Sequence, residues 1–328
     1  MYEEFFGLQR KPFAMTPDPE FLYMTSSLRE ALAGITYTIL ERKGFAVLTG
    51  DAGTGKTSLL NSVMGTLSGS VAYVGWIINP LLTASEFFEM ALLDLGITDI
   101  AASKAQRIVQ FHKFLLDASE ENKTTVLIID EAHQLEPKLL EEIRLLTNFE
   151  GSGGKLLQII LAGQTELDDL LERHDLRQLK QRVAVRLTVD RLYNSIQVGN
   201  YMAHRWNTAG ATQRLPFGQD AVRLIDKLSR GIPRVINAIC DSALLSAFAD
   251  GTSLVSVQQI NSVASDLRMS LAGASEVDAD PLTIPLPQSS PSTYSAPAPE
   301  GASKPAADPL PQAGWSEKFG VKYRVRPS

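Results

Sequence analysis

The hydrophobic positions of this 328-residue chain form short continuous runs that alternate with stretches of helical spacing. Continuous apolar runs predict strands that are buried on both faces of a parallel sheet. Five strands are predicted, at Phe45–Thr49, Val71–Ile78, Thr125–Ile129, Leu156–Leu161 and Ala184–Val189. Apolar residues three and four apart predict helices after the first strand to Met64, and over 84–95, 105–119, 137–148 and 165–183. Strands alternating with helices predict right-handed crossovers and one central parallel sheet.

The pattern changes twice further along the chain. From Leu192 to Leu271 only helical spacing remains. Beyond residue 271, 10 of the 17 prolines occur among Ala, Ser and Asp, a composition that buries too little apolar surface to offset chain entropy. We therefore predict an α/β domain over 1–190, an all-helical lid domain over 191–271 and a disordered Pro-rich tail over 272–328. The last stretch, Trp315–Ser328, either shares that disorder or docks an aromatic helical stripe on a partner.

Composition limits the function classes that remain. The chain has 31 basic and 37 acidic residues, a net charge of −6, which excludes a uniformly basic nucleic-acid coat. The stretch 171–214 nevertheless carries eight basic and three acidic residues, and it is either a subunit or nucleic-acid contact or a solvated face. One cysteine, Cys240, excludes an intrachain disulfide. With an acidic N-terminus and no apolar run near the roughly 18 residues of a spanning helix, we expect a soluble cytoplasmic protein without a transmembrane segment.

A glycine-rich loop between the first predicted strand and its helix carries the strongest chemical motif. Its residues fit G-x-x-x-x-G-K-[ST], with Ser58 following: Gly50, Asp51, Ala52, Gly53, Thr54, Gly55, Lys56 and Thr57. Such a loop turns backbone N–H groups inward around a polyphosphate at the positive end of a helix. Lys56 is expected to reach the β- and γ-phosphates, and the Thr57 hydroxyl to bind Mg²⁺.

A pair of carboxylates ends the third predicted strand. Asp130 and Glu131 follow the buried run Thr125–Ile129, and the carboxyl end of a parallel strand lies beside such a phosphate loop. Asp130 is therefore predicted to hold the magnesium shell, and Glu131 to orient and deprotonate the attacking water. Ala132 and His133 complete the string D-E-A-H found in helicases, but a helicase needs a second α/β domain and only a helical stretch follows.

Hydrolysis also needs groups that detect the γ-phosphate and neutralise charge in the transition state. Gln164 follows the fourth predicted strand and is the predicted polar sensor, with its neighbour Thr165 as the alternative. Arg234 follows a Gly-Ile-Pro break and so stands at a predicted helix N-terminus. A cation there is unfavourable to the helix dipole, which indicates a role on the nucleotide instead.

These motifs together resemble the AAA+ ATPases. The opening of the chain further resembles the ExeA/GspA group, and the resemblance covers about residues 1–270. It rests on the motifs Phe6-Gly7-Leu8, Lys11-Pro12-Phe13, Pro17-Asp18-Pro19 and Phe21-Leu22-Tyr23. The resemblance implies ATP and Mg²⁺ as cofactors, a homo-oligomer, and a protein client in a secretion or pilus assembly system of the bacterial envelope. It also implies peripheral association with the inner face of the membrane through a partner.

The same resemblance suggests further site residues. Its aromatic-proline opening packs over the nucleotide base, for which Phe13 and Tyr23 are the candidates, with plain core packing as the other reading. In the family one subunit donates an arginine to the nucleotide of its neighbour. The matching helix end before the last predicted strand offers Arg182 first and Arg177 second.

Two other functions share these core motifs. Transposition regulators of the TniB/TnsC type have the same ATPase core and bind DNA as oligomers, which makes a nucleotide-controlled DNA-binding adaptor the main alternative. A scaffold whose tail recruits a partner while the core only switches is a third. Turnover that DNA stimulates with a steep salt dependence would favour the adaptor.

Overall fold

A computed structural model gives the fold, and it describes residues 1–67, 71–78, 81–151 and 153–269. The predicted tail and its last stretch, Trp315–Ser328, lie outside the described residues. No helix in the described part of the chain is both long enough and apolar enough to cross a membrane.

The described elements alternate between strand and helix as far as residue 188 and are helical thereafter. The strands are β1 Phe45–Thr49, β2 Val71–Ile77, β3 Thr124–Ile129, β4 Glu150–Gly151, β5 Gly154–Lys155, β6 Leu157–Ala162 and β7 Val185–Thr188. The helices are α1 Tyr2–Phe5, α2 Ser26–Leu40, α3 Lys56–Leu67, α4 Ala84–Asp94, α5 Lys104–Glu120, α6 Pro137–Leu146, α7 Glu166–Leu171, α8 Arg177–Lys180, α9 Ser195–Thr208, α10 Gln219–Ser229, α11 Pro233–Ala249 and α12 Val257–Asp266. Short 3-10 turns occupy Pro19–Phe21, Ala132–Gln134 and His174–Leu176.

The five predicted strands form one parallel sheet in the order β2-β3-β6-β1-β7, which confirms the predicted fold class. Strand β6 lies between β1 and β3, and Leu161 is in register with both Val47 and Ile129. The carboxyl ends of these three strands therefore meet at one edge of the sheet. This edge brings together the chain after Thr49 and the chain after Ile129, far apart in sequence.

Both faces of the sheet are buried, as the continuous apolar runs predict. Successive strand side chains point to opposite faces, so Leu127 and Ile129 pack with α4 to α8 while Val126 and Ile128 pack with α2 and α3. Neither α2 nor the small antiparallel hairpin β4–β5 was among the predicted elements.

The predicted helix over 165–183 is wrong in its length. The chain forms α7, then a 3-10 turn, then α8. The buried leucines Leu171 and Leu176 are five residues apart, a spacing that would turn Leu176 away from the apolar face of one continuous helix. Breaking the helix lets both leucines pack against the sheet.

The N-terminal segment packs with the helices that follow the sheet. Tyr2, Phe6 and Phe13 are buried in one cluster with residues of α9 to α12, and the Tyr2 hydroxyl donates to Asp241 of α11. The predicted α/β domain begins at residue 1, but in the structure the first residues pack in the core of the helices α9 to α12. The boundary near residue 190 stays a prediction.

Candidate functional site

The glycine-rich loop lies at the carboxyl edge of the sheet, between β1 and α3. Gly53 has a positive φ of 81°, and a Cβ atom there would lie 2.6 Å from the Cβ of Arg234. Both the backbone conformation and the close approach therefore require glycine. Helix α3 begins at Lys56, so its first N–H groups have no partner within the helix and form an anion site.

Lys56 is buried at the mouth of this loop, with 7% of its surface exposed. Its ammonium donates to the carbonyls of Gly50 (2.7 Å) and Asp51 (2.9 Å). Burial lowers the pKa of Lys56, and the nearby carboxylates of Glu131 and Asp130 oppose that shift. The Lys56 ammonium is thus held by neutral carbonyl oxygens. A phosphate bound in the loop would be a stronger acceptor because it is charged.

Thr57 and Asp130 meet across the edge of the sheet. The Thr57 hydroxyl donates to Oδ2 of Asp130 at 2.9 Å, and Oδ1 of the same carboxylate accepts the backbone N–H of Glu131 at 3.0 Å. Hydroxyl and carboxylate oxygens are the ligand types that Mg²⁺ prefers. The residues present therefore fit a magnesium ion held beside bound phosphates.

Glu131 follows Asp130 in a strained position. Its backbone is left-handed, with φ of 52°, which is uncommon for a residue other than glycine. Its side chain is 45% exposed, while its Oε2 atom is buried and has no hydrogen-bond partner among the described residues. Strain and an unpaired acceptor concentrate at functional sites, and both are expected for a carboxylate poised to take a proton from water.

Gln164 follows Gly163 at the carboxyl end of β6, the strand that lies between β1 and β3. Its backbone nitrogen is 3.4 Å from Nδ1 of His133, and its side-chain amide is 3.2 Å from Nε2 of the same ring. The alternative sensor Thr165 is exposed at the start of α7 and lines a second cavity together with Gly50 and Asp51.

One cavity of about 330 Å³ is lined by many of the predicted residues, but Gly50, Asp51, Asp130 and Gln164 are not among those that line it. The phosphate end is lined by Lys56, Thr57 and Glu131, and Arg234 reaches it from α11. The backbone N–H of Arg234 also donates to the carbonyl of Gly53 at 3.2 Å, so α11 begins on the loop itself. The remaining loop residues that line the cavity are Ala52, Gly53, Thr54, Gly55 and Ser58.

The far end of the cavity is lined by the segment 14–25, which includes Tyr23. Phe13 is not among the lining residues. It is fully buried and packs edge-on against Phe217, because an apolar ring gains more from the helical core than from a solvent-filled cavity. Of the two aromatic candidates for the base, only Tyr23 lines the cavity.

Comparison with known proteins identifies the family. Residues 39–171 match the model of the AAA domain family. Over 255 residues the chain is 38% identical to General secretion pathway protein A of Aeromonas hydrophila, and the match covers 77% of the chain. The chain is an ExeA/GspA-like protein of the AAA+ ATPase family. It spans about half of that relative, 46% of its length.

Solved structures show the same fold for this AAA+ chain. Cdc6p from Pyrobaculum aerophilum is similar with a TM-score of 0.60 and 17% identity, covering 76% of this chain and 71% of that one. The Aeropyrum pernix ORC2 protein gives 0.60 and 15%, covering 79% and 72%. The RuvB Holliday junction branch migration motor of Thermotoga maritima gives 0.54 and 16%, covering 80% and 76%.

The two predicted trans-acting arginines lie away from this cavity. Arg177 begins α8 and Arg182 follows it, and both side chains are exposed. The backbone N–H of Ala184 donates to the carbonyl of Phe45, which fixes this segment at the amino end of β1. The arginines therefore stand at the opposite edge of the sheet from the phosphate loop of their own AAA+ domain.

The cavity residues that were not predicted from the sequence include Arg205, Tyr201 and Asn237. Arg205 of α9, only 8% exposed, donates to the carbonyls of Pro12 (2.6 Å) and Ala14 (3.4 Å) and to the Tyr201 hydroxyl (3.2 Å). The Tyr201 hydroxyl donates in turn to Oδ1 of Asn237 at 2.7 Å. This chain of bonds connects the segment over the far end of the cavity to α11. The bonds from Arg205 to Pro12 and Ala14 join positions 193 and 191 residues apart, so local spacing carries no sign of them.

We expect Arg205→Met to loosen the segment over the cavity. Hydrogen bonds to a charged group contribute about 1.5–3 kcal/mol, so the free energy of unfolding should fall by roughly 2 kcal/mol. ATP affinity should weaken as well, because residues 14–25 line the cavity. Denaturant unfolding and equilibrium nucleotide titration measure the two effects. Arg223→Met, at an exposed pair in α10, should change stability by less than about 0.5 kcal/mol; equal effects of the two variants would contradict the role of Arg205.

Proposed function

We propose that this chain binds ATP with Mg²⁺, hydrolyses it, and uses the resulting conformational change in a homo-oligomer to assist assembly of an envelope or secretion-type complex. The observation that carries the proposal is the hydrogen bond from Thr57 to Asp130 beside a cavity that Lys56, Thr57 and Glu131 line. The family membership and the similarity to General secretion pathway protein A support it. Because ATP is the substrate, we place the protein on the cytoplasmic side of the membrane, at its inner face through a partner.

Each residue has a part in the proposed hydrolysis. The loop N–H groups and Lys56 bind the β- and γ-phosphates, while Thr57 and Asp130 hold Mg²⁺, which supplies charge neutralisation when bound. Glu131 takes the proton of a water whose oxygen attacks the γ-phosphorus, and the bond to the β-bridging oxygen breaks to leave ADP and inorganic phosphate. Gln164 and Arg234 contact the γ-phosphate and report its presence to the helical region.

The position of Arg182 supports the proposed oligomer. It lies at the amino edge of the sheet, so it cannot reach the phosphate loop of its own chain, yet its exposed side chain is available to the site of a neighbouring subunit. We propose that Arg182 is the arginine that contacts the nucleotide bound by the neighbouring subunit, with Arg177 as the second candidate.

The alternative of a DNA-binding adaptor depends on the basic stretch 171–214. Within it Arg173, Lys180 and Arg186 form ion pairs with carboxylates, and Arg205 is buried. Arg191 pairs with Asp51 of the phosphate loop. Five of its eight cations are thus engaged within the chain, which reduces the charge available to a phosphate backbone and favours a protein client.

The proposal is tested by phosphate release from the full chain with Mg²⁺, with EDTA and with double-stranded DNA at two salt concentrations. We expect turnover with Mg²⁺, none with EDTA and no change with DNA. A DNA stimulation of several-fold that salt suppresses would support the adaptor instead. Absence of hydrolysis in every condition would contradict the proposed ATPase activity.

Lys56→Met should weaken ATP binding about 10- to 100-fold. The substitution removes charge-assisted bonds worth about 1.5–3 kcal/mol and leaves a side chain of similar length in the loop. Calorimetric titration of ATP measures the loss, with Lys113→Met on the exposed face of α5 as the control. An unchanged ATP affinity in Lys56→Met would mean that the phosphates bind elsewhere.

A further inference from the structure

We propose that Arg191 is a positioning residue that neutralises Asp51 and holds its carboxylate away from the phosphates of bound ATP. This inference rests on the proposed binding of ATP in the glycine-rich loop. Arg191 lies outside that loop and was not among the predicted site residues. Its pairing with Asp51 accounts for a negative side chain in a loop that binds anions.

Asp51 is the one acidic residue of the glycine-rich loop. Burial lowers the pKa of the Lys56 ammonium, and Asp51 is one of the carboxylates that oppose that shift. The charge of Asp51 therefore acts at the group that is expected to contact the β- and γ-phosphates. Without compensation, the same charge would repel those phosphates.

The backbone brings the glycine-rich loop against the chain that leaves β7. A Cβ atom at Gly50 would lie 2.4 Å from the carbonyl oxygen of Val189, and the Val189 N–H donates to the carbonyl of Thr49 at 2.8 Å. Arg191 is two residues beyond this contact. Its Nε atom donates to Oδ2 of Asp51 at 2.5 Å.

The Asp51–Arg191 pair faces the second cavity. Loop residues from Ala52 to Ser58 line the cavity proposed for ATP, whereas neither member of the pair does. Both members line the second cavity, of about 380 Å³. The ion pair therefore holds the Asp51 carboxylate outside the cavity in which we place the phosphates.

The backbone of Asp51 has a separate part in the loop. Its carbonyl accepts the Lys56 ammonium at 2.9 Å and the Thr54 hydroxyl at 2.9 Å. Neither bond involves the carboxylate, so replacing that carboxylate by an amide should leave both in place. The charge of Asp51 can thus be removed without removing the contacts that shape the loop.

The pair is also partly open to water, with 46% of the Arg191 side chain and 35% of the Asp51 side chain exposed. Ion pairs with this exposure contribute little to the stability of a fold. We therefore expect the loss of Arg191 to change the affinity for a charged ligand rather than the folding of the chain.

The test is a double-mutant cycle in the full chain, read by calorimetric titration of ATP with Mg²⁺. Arg191→Gln should raise the Kd about three- to tenfold, because the Asp51 charge is left unpaired beside the phosphates. Asp51→Asn should instead lower the Kd about two- to threefold, because an unpaired cation remains there. The variant with both substitutions should return to within about twofold of the wild type, since the two effects belong to one pair.

Salt dependence and a matched ion pair separate charge from shape. The loss of affinity in Arg191→Gln should shrink between about 0.1 M and 1 M salt, because the screening length falls from about 10 Å to about 3 Å. Arg173→Gln breaks another exposed arginine–aspartate pair, with Asp175, that lines neither cavity. It should keep the Kd for ATP within about 1.5-fold of the wild type.

Several results would overturn the role of Arg191. If both single variants weaken ATP binding equally and the double variant does not recover, the pair acts only by fixing the shape of the loop. An unchanged Kd in Arg191→Gln, or a loss that salt does not reduce, would also contradict the neutralisation of Asp51. In each of these cases the wild type still binds ATP. A wild type that does not bind ATP would contradict the proposed function, and this inference with it.

Discussion

Glu131→Gln should bind ATP as tightly as the wild type and hydrolyse it at about one hundredth of the wild-type rate or less. The amide keeps the shape of the carboxylate but cannot accept a proton, so only the step that deprotonates water is lost. The contacts that hold the phosphates, from Lys56 and Thr57, are untouched. The variant should therefore accumulate in its ATP-bound state.

This result is measured by phosphate release under steady-state conditions together with a fluorescent-nucleotide titration. Glu136→Gln is the matched control, because Glu136 is an exposed carboxylate five residues further on that makes no capping bond to α6. It should retain the wild-type rate. If Glu131→Gln turns over normally, the base lies elsewhere; if it loses ATP binding as well, Glu131 has a structural rather than a chemical role.

The part of the candidate site that the sequence indicates most directly is carried by consecutive positions. The loop ending in Lys56 and Thr57, and the pair Asp130 and Glu131, are continuous motifs at strand ends, and parallel strands bring their ends to one edge. The contact between Thr57 and Asp130 follows from that topology alone. Periodicity likewise gave all five strands of the sheet, because buried parallel strands are nearly continuous in apolar residues.

What could not be predicted depends on contacts distant in sequence. Phe13 is a suitable ring for a base, and only its packing against Phe217 shows that it belongs to the core. The bond from Arg205 to Pro12 joins positions that are 193 residues apart. Helix α2 is a different case, since Thr25 caps it by accepting from Leu28 and the buried positions recur every three or four residues. That signal was present in the sequence.

The connection between the cavity and the helical region runs through the turn before α11. The backbone N–H of Arg234 donates to Gly53 of the phosphate loop, and the carbonyl of Gly231 accepts the N–H of Leu192 at 2.9 Å. One short turn therefore contacts both the loop that receives phosphate and the chain that leaves the sheet. We expect a change in the phosphate loop to reach α11 through these two backbone hydrogen bonds.

Gly231→Ala should be the most destabilising single substitution in this turn. Gly231 has φ of 71°, and a Cβ atom would lie 1.9 Å from the carbonyl oxygen of Leu192, a backbone atom that cannot rotate away. The left-handed conformation costs a residue other than glycine about 1 kcal/mol, and the clash should add roughly 2–3 kcal/mol by displacing α11 from the phosphate loop. ATP affinity should fall with it, because the N–H of Arg234 would leave Gly53.

Gly251→Ala separates the cost of the left-handed backbone from the cost of the clash with Leu192. Gly251 has nearly the same φ, 66°, but no atom lies within 4 Å of its Cβ position, so its substitution carries the left-handed cost alone. Denaturant unfolding of both variants should show Gly231→Ala to be less stable by roughly 2–3 kcal/mol, with weaker ATP binding only in that variant. Equal losses of unfolding free energy in the two variants would mean that the turn adjusts to the added methyl group and that the Leu192 contact does not fix α11. Because the two variants share one backbone strain, the difference between them measures how firmly the helical region is held on the phosphate loop.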